Sequence, residues 1–237
     1  MRVVVLVVAV LVAISLPAKQ NELTREEAEA GWQLLFDGIS LNGWMWTRER
    51  EEPQPSWVVR DGVLLTTPGQ GSEVYLLTQE SFSDFEFVFE WRAEPRANSG
   101  VKYRVQMYGE STRKIEPIGF EYQITDDEAN PDALSTPRHT AGALYDYVEP
   151  RKNGPALAKV WHRARIVARG LHIEHWLDDA KVIDVDLDTA EAAASFAKST
   201  RQSAGMLRRQ EKRESPIALQ IHDGVVEFRN LKLRPLK

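Results

Sequence analysis

The sequence has no cysteine. Disulfides, thiolate metal sites and cysteine nucleophiles are therefore excluded, and the core must hold without covalent staples. It also has no excess of positive charge: 30 Lys and Arg stand against 35 Asp and Glu, a formal net charge of −5. With no basic stripe either, nothing marks a footprint for nucleic acid. There is no GxSxG nucleophile elbow, no HExxH helix and no P-loop. What is present is ordinary globular composition over 237 residues, 43% hydrophobic and 27% charged, which excludes wholesale disorder. A chain of this size buries roughly 70–75% of its unfolded surface, enough for a core.

The N-terminus reads as a targeting segment. Arg2 precedes Val3 to Leu16, fourteen residues of which only Ser15 is polar. That is short for a bilayer span and fits the apolar region of a signal peptide, with Ala18 as the last residue before cleavage; a retained anchor is the alternative. Removal of residues 1–18 leaves a single domain over 19–237 with a formal charge near −6. The expected destination is secreted or periplasmic.

Period-two patterning dominates the rest. Phe85, Phe87, Phe89 and Trp91 alternate with Glu86, Val88, Glu90 and Arg92. Strand-like stretches follow at 101–105, 120–124, 160–168, 171–177, 181–186, 217–221 and 225–233. The turn signals are Asp61-Gly62, Arg169-Gly170, Asp178-Asp179 and Asp223-Gly224. Thr24 and Glu27 form a capping-box pattern for a short helix to about Ala30, and Thr189 can cap a second helix over 190–198. Residues 109–118 and 125–140 read as long loops. The mixed-charge run 201–215, opening with Arg201, reads as a solvated excursion. Many short strands with few helices predict an antiparallel β-sandwich.

Alternation also sorts the polar residues. In Gly119-Phe120-Glu121-Tyr122-Gln123-Ile124, the apolar side chains fill the space between sheets while Glu121 and Gln123 share the other face. In Ala218-Leu219-Gln220-Ile221-His222, Gln220 and His222 share the face opposite Leu219 and Ile221. Such pairs fit one ligand touching several groups, or an ordinary wet sheet face. His175 aligns with Ile173 and Leu177, so it enters an apolar face unless a bulge re-aims it, and Glu174 with Trp176 is an equal candidate for the open face. Asn98-Ser99-Gly100 precedes Arg104, which could clamp an oxygen-rich ligand. The seven Trp are expected mostly in the core, although exposed indoles would suit sugar stacking. A two-carboxylate glycosidase scheme fits poorly, because the same-face neighbour of Glu121 is the amide Gln123.

Several motifs together resemble the 3-keto-disaccharide hydrolase domain family. They are Leu35-Phe36-Asp37-Gly38, Leu41-Asn42-Gly43-Trp44, Trp57 to Leu64, Asp84-Phe85-Glu86-Phe87, Asn98-Ser99-Gly100-Val101, Gly119 to Gln123, Gly142 to Asp146, His175-Trp176-Leu177 and Phe228 to Arg234. The resemblance spans about residues 31–236. It implies a concanavalin A-like jelly roll with one or two short helices, and cleavage of glycosides oxidised to a ketone at C3. It points to Glu121, Gln123, His175, Gln220 and His222 as pocket residues, with Arg104 and Tyr145 as neighbours. Two departures stand out: Ile221 replaces the family's Asp in the Leu-Gln-Asp-His-Gly pattern, and Leu177-Asp178-Asp179 replaces Leu-Asn-Gly.

A C3 ketone acidifies the C2 hydrogen, so the C1 substituent can leave by elimination and water can add back. That route needs a base, donors for the enolate and an acid for the leaving oxygen. Glu121 or His222 is expected as base, with the other or His175 as acid, and with Gln123, Gln220, Arg104, Tyr145, Asn98 and Glu174 as binding residues. No cofactor is assigned, and a divalent metal held by Glu121, His175 and His222 is the lesser alternative. The expected partner is a saccharide, with a sugar C3-oxidoreductase supplying it and the oligomeric state left open. A secreted lectin-like module, or a surface interaction protein that binds no saccharide, is the competing class.

Overall fold

The computed structural model describes residues 19–46, 56–67, 74–108, 116–199, 201 and 214–237. The apolar N-terminal run lies outside the described residues, as do 109–115 and nearly all of the charged run after Arg201.

Thirteen strands among the described residues form two antiparallel sheets. The larger runs in the order β11 (Ala180–Asp186), β10 (His172–Leu177), β9 (His162–Arg169), β6 (Phe85–Ala93), β13 (Val226–Pro235), β4 (Val63–Thr66), β3 (Trp57–Arg60), with β1 (Gln33–Leu34) also on β13. The smaller runs β2 (Trp44–Trp46), β5 (Val74–Thr78), β12 (Ala218–Ile221), β7 (Asn98–Tyr108), β8 (Glu116–Thr125).

Alternation decides what lies between them. Phe85, Phe87, Phe89 and Trp91 of β6 are buried, and they face Val101 and Tyr103 of β7 and Phe120, Tyr122 and Ile124 of β8. Each large side chain so buried contributes roughly 1.5–3 kcal/mol. On the outer face of the larger sheet, Glu86 pairs with Arg165 and Arg234, and Glu90 with Arg229. The partly exposed indoles there are covered by cations: Arg92 and Arg229 flank Trp161, and Arg165 and Lys181 flank Trp176. These rings are not open sugar platforms.

The turns follow their residues. Asp61 and Gly62 both adopt positive φ, as do Asp178 and Asp179, so each closes a two-residue hairpin. Thr24 caps α1 (Arg25–Glu29) with a complete capping box, and Thr189 caps α3 (Ala190–Phe196). The expected loop 125–140 is more ordered than the sequence indicated. Asn130 caps the short helix α2 (Pro131–Ser135), and a 3-10 turn follows at Pro137–His139. Two prolines and an Asn cap define that segment locally, without any hydrophobic periodicity to reveal it. Beside it, residues 141–148 run along the free edge of β8, where Leu144 bridges Tyr122.

Candidate functional site

The outer face of the smaller sheet collects the polar side chains. β7 and β8 pair so that Lys102 lies opposite Glu121, and Gly100 opposite Gln123. Across the other edge of β7, Lys102 lies opposite Ala218 of β12, and Gln220 pairs with Tyr75 of β5. Tyr75, Gln220, Lys102, Gly100, Glu121 and Gln123 therefore share one face. Glu121 and Gln123 stand away from the core as alternation requires, yet they are buried: Glu121 is 3% exposed and Gln123 0%.

Gly100 makes room for the carboxylate. A Cβ there would lie 2.4 Å from Glu121 Oε1, so the side chain rests across the glycine backbone. Glu121 Oε2 lies 3.6 Å from Arg201 Nη1 and 4.0 Å from Lys102 Nζ, and it has no hydrogen-bond partner. Lys102 Nζ donates to Tyr75 Oη at 2.7 Å, and Gln220 Nε2 donates to the same oxygen at 3.3 Å. Gln123 Nε2 donates to Asn98 Oδ1 at 3.1 Å, while its Oε1 is buried without a hydrogen bond.

A second shelf flanks this carboxylate. The Tyr145 amide donates to the Glu121 carbonyl at 3.0 Å, and the Arg201 guanidinium lies 4.5 Å above the Tyr145 ring. Tyr145 Oη donates to Asp132 Oδ2 at 3.0 Å, and its ring stacks on His139 at 4.4 Å. His139 bridges Asp132 at 2.8 Å and Asp146 at 3.3 Å. Burial, and then the Asp132 charge, push the Tyr145 hydroxyl pKa far up, so it stays protonated.

The structure brings Glu121, Gln123, Asn98, Gln220 and Tyr145 to one region and sends three expected residues, His175, Glu174 and Arg104, elsewhere. His175 points between the sheets and is fully buried. Its Nδ1 donates to the Gly142 carbonyl at 3.0 Å, and its Nε2 accepts from Tyr103 Oη at 2.9 Å. Strand alternation in β10 is simply maintained, and burial lowers the ring's pKa to about 4. It cannot share a metal or a substrate with Glu121 across the sheet. Glu174 lies on the outer face of the larger sheet, bonded to Trp176 and Lys181. Arg104 adopts φ +51° where the β7–β8 register slips, and it is fully buried, 3.5 Å from Asp84. The bulge turns its side chain towards the larger sheet rather than onto the polar face. His222 is exposed past the end of β12. It lies two residues beyond Gln220, as far along the sheet from the level of Glu121 as Asn98 does.

Sequence reasoning passed over Lys102, Tyr75, Arg201, Asp132 and His139. Period two from Asn98 and Gly100 would have put Lys102 on their face; its place opposite Glu121 comes from the β7–β8 register. Nothing local marks Arg201, because its partners are distant in sequence.

Residues 31–234 match the 3-keto-alpha-glucoside-1,2-lyase-like domain family. The chain belongs to that family. A candidate glycosyl hydrolase from Parabacteroides distasonis ATCC 8503 superposes with a TM-score of 0.79 at 23% identity, covering 92% of this chain and 100% of its own. A second from the same organism gives 0.66 at 23% identity, over 86% and 99%. The exoplasmic/lumenal domain of VIP36, bound to Ca2+ and Man3GlcNAc, gives 0.52 at 11% identity, over 88% and 89%. These likenesses establish the sandwich fold of the lyase-like domain. No curated protein sequence matches the chain.

Proposed function

We propose that this member of the lyase-like family cleaves glycosides carrying a ketone at C3, by elimination and rehydration. The observation that carries the reading is Glu121: one buried carboxylate, seated on Gly100, with Oε2 free of hydrogen bonds and two cations within 4.0 Å. The nearby carboxylates Asp132 and Asp146 are engaged by Tyr145 and His139. A lone base beside cations suits enolate formation better than a pair of acids flanking a glycosidic bond.

In this scheme Glu121 takes the C2 proton, and the electron pair moves into the ketone to give an enolate. The enolate collapses, the C1–O bond breaks, and the departing oxygen receives the proton from Glu121. Water then adds at C1 and C2 regains a proton, so the net reaction is hydrolysis. Gln123, Asn98 and Gln220 offer amide groups to sugar hydroxyls, and Arg201 over Tyr145 borders the leaving group.

The apolar run at 3–16 supports export to the periplasm or beyond. A C3-oxidising enzyme must supply the substrate. The reading is tested by incubating the protein with a 3-keto-glucoside and with its unoxidised parent, followed by product analysis. Only the oxidised sugar should be cleaved. Binding without product would replace the enzyme with a lectin, and equal cleavage of the parent would overturn the mechanism.

A further inference from the structure

Lys102 is an unusual lysine for a β-sheet face. It is 4% exposed, although an ordinary lysine in a strand keeps its ammonium in water. One N–H goes to Tyr75 Oη at 2.7 Å, and among the described residues it makes no other hydrogen bond. Its nearest carboxylate oxygen, Glu121 Oε2, is 4.0 Å away and itself has no hydrogen bond. A buried ion pair that served stability would close to about 2.8 Å, since desolvation of both charges is otherwise poorly compensated. Here the two groups face each other with no hydrogen bond between them, although Arg201 Nη1 also approaches the same oxygen, at 3.6 Å. Tyr75 holds the ammonium from one side, and the seat on Gly100 holds the carboxylate from the other.

That spacing has a chemical use. Enolisation needs a base at the C2 hydrogen and a donor at the oxygen of the adjacent C3 carbonyl. With both contacts at ordinary hydrogen-bonding distances, base and donor atoms fall roughly 4–5 Å apart.

We propose that Lys102 is the electrophile of this site: its ammonium, anchored by Tyr75, hydrogen-bonds the C3 carbonyl oxygen and stabilises the enolate formed when Glu121 removes the C2 proton. The inference rests on the reading of Glu121 as the C2 base. No bond forms to Lys102 and it gives up no proton. As the C2–H bond breaks, its electron pair forms C2=C3, and the carbonyl π pair moves onto the oxygen facing the ammonium. On collapse the oxygen pair re-forms the C3 carbonyl, the C2=C3 pair shifts to form C1=C2, and the C1–O bonding pair leaves with the C1 oxygen, which takes the proton held by Glu121. The site thus selects a carbonyl at C3, because the developing negative charge arises where the ammonium is fixed.

The test uses the full chain and methyl 3-keto-glucoside, with Lys102→Met and Tyr75→Phe variants shown to be folded by circular dichroism and thermal melting. Methionine keeps the length and burial of the side chain but removes its charge. The expected result is a loss of about 10²–10³-fold in kcat for Lys102→Met, with KM changed only a few-fold, and a loss of about tenfold in kcat for Tyr75→Phe. A merely structural role would not fall selectively on kcat in a folded variant. If Lys102→Met does not fold, Tyr75→Phe decides alone, and an unchanged kcat there overturns the proposal. So does a Lys102→Met kcat within about threefold of the wild type. A borohydride-trapped sugar adduct on Lys102 also overturns it, since an iminium would then carry the charge. A wild type inert on the ketone overturns the reading of Glu121 and this inference together, whereas an active wild type with unaffected variants overturns this inference alone.

Discussion

Gly100 and Glu121 act as one unit at the residue scale. A methyl at position 100 would lie 2.4 Å from Oε1 and 2.8 Å from Cγ of Glu121. The overlap is with a flexible side chain, so a Gly100→Ala protein should fold while its carboxylate is pushed aside. A displacement near 1 Å at a reacting group costs about 10²-fold, so kcat should fall by that order with the melting temperature nearly unchanged. Unaltered turnover in the folded variant would mean that the seat of Glu121 is irrelevant to catalysis. His175 makes a different prediction. Burial lowers its pKa from 6.5 to about 4, so the fold favours the neutral ring. Stability contributed by that ring is complete above pH 6.5 and is lost as pH falls towards 4, roughly 3 kcal/mol in all. Urea unfolding at pH 7 and pH 4.5 should show this loss in the wild type, and a smaller one in His175→Gln. An identical pH dependence in both would refute the assignment. Alternation alone placed both residues correctly: Glu121 away from the core, His175 in line with Ile173 and Leu177. What alternation lacks is depth, and so it could not reveal that Glu121 is buried or that both His175 nitrogens are bonded.

Hairpins and bulges set the geometry at the scale of elements. The β10–β11 turn places Asp178 at φ +48° and Asp179 at φ +67°, a left-handed pair for which Asn-Gly is the preferred sequence. Asp178 has reasons to stay, since it bonds His162 and the Arg163 amide. Asp179 makes only an exposed contact with Arg163. Asp179→Gly should therefore raise unfolding free energy by about 0.5–1 kcal/mol in urea titration, as relief of a left-handed backbone outweighs a surface ion pair. A loss of stability would show that the pair is worth more than the strain. The eight strands from β6 to β13 and these turns were legible because each carries its signal within a few residues, whereas the short strands β1 to β5 were not marked. The β7 bulge was not: Arg104 and Val105 together oppose Gly119, whose missing Cβ leaves room for the Tyr103 carbonyl. Period two run through that bulge assigns Arg104 to the ligand face. In the structure its guanidinium turns instead to Asp84 near the larger sheet. Helix α2 was missed for the complementary reason, because five residues are too few to show a 3.6-residue period.

For the whole molecule, the two outer faces of the sandwich have divided roles. That of the larger sheet is closed by ion pairs and by arginines over indoles, such as Arg229 on Trp161 at 4.0 Å. That of the smaller sheet holds a buried lysine and a buried glutamate 4.0 Å apart. The family resemblance was readable from ordered motifs in the sequence, and the match over 31–234 bears it out. The assembly of the site was only half readable, because Arg201 and Tyr75 reach Glu121 and Lys102 through the fold rather than through a motif. The central claim is that a proton leaves C2 before the C1–O bond breaks. NMR of the sugar released from a 3-keto-glucoside in D2O tests it most directly. The account predicts deuterium at C2 in product formed by the wild type, with product formation slowed about 10²–10⁴-fold in Glu121→Gln. Early product that retains its original C2 hydrogen would instead mean direct displacement at C1, and would contradict the account.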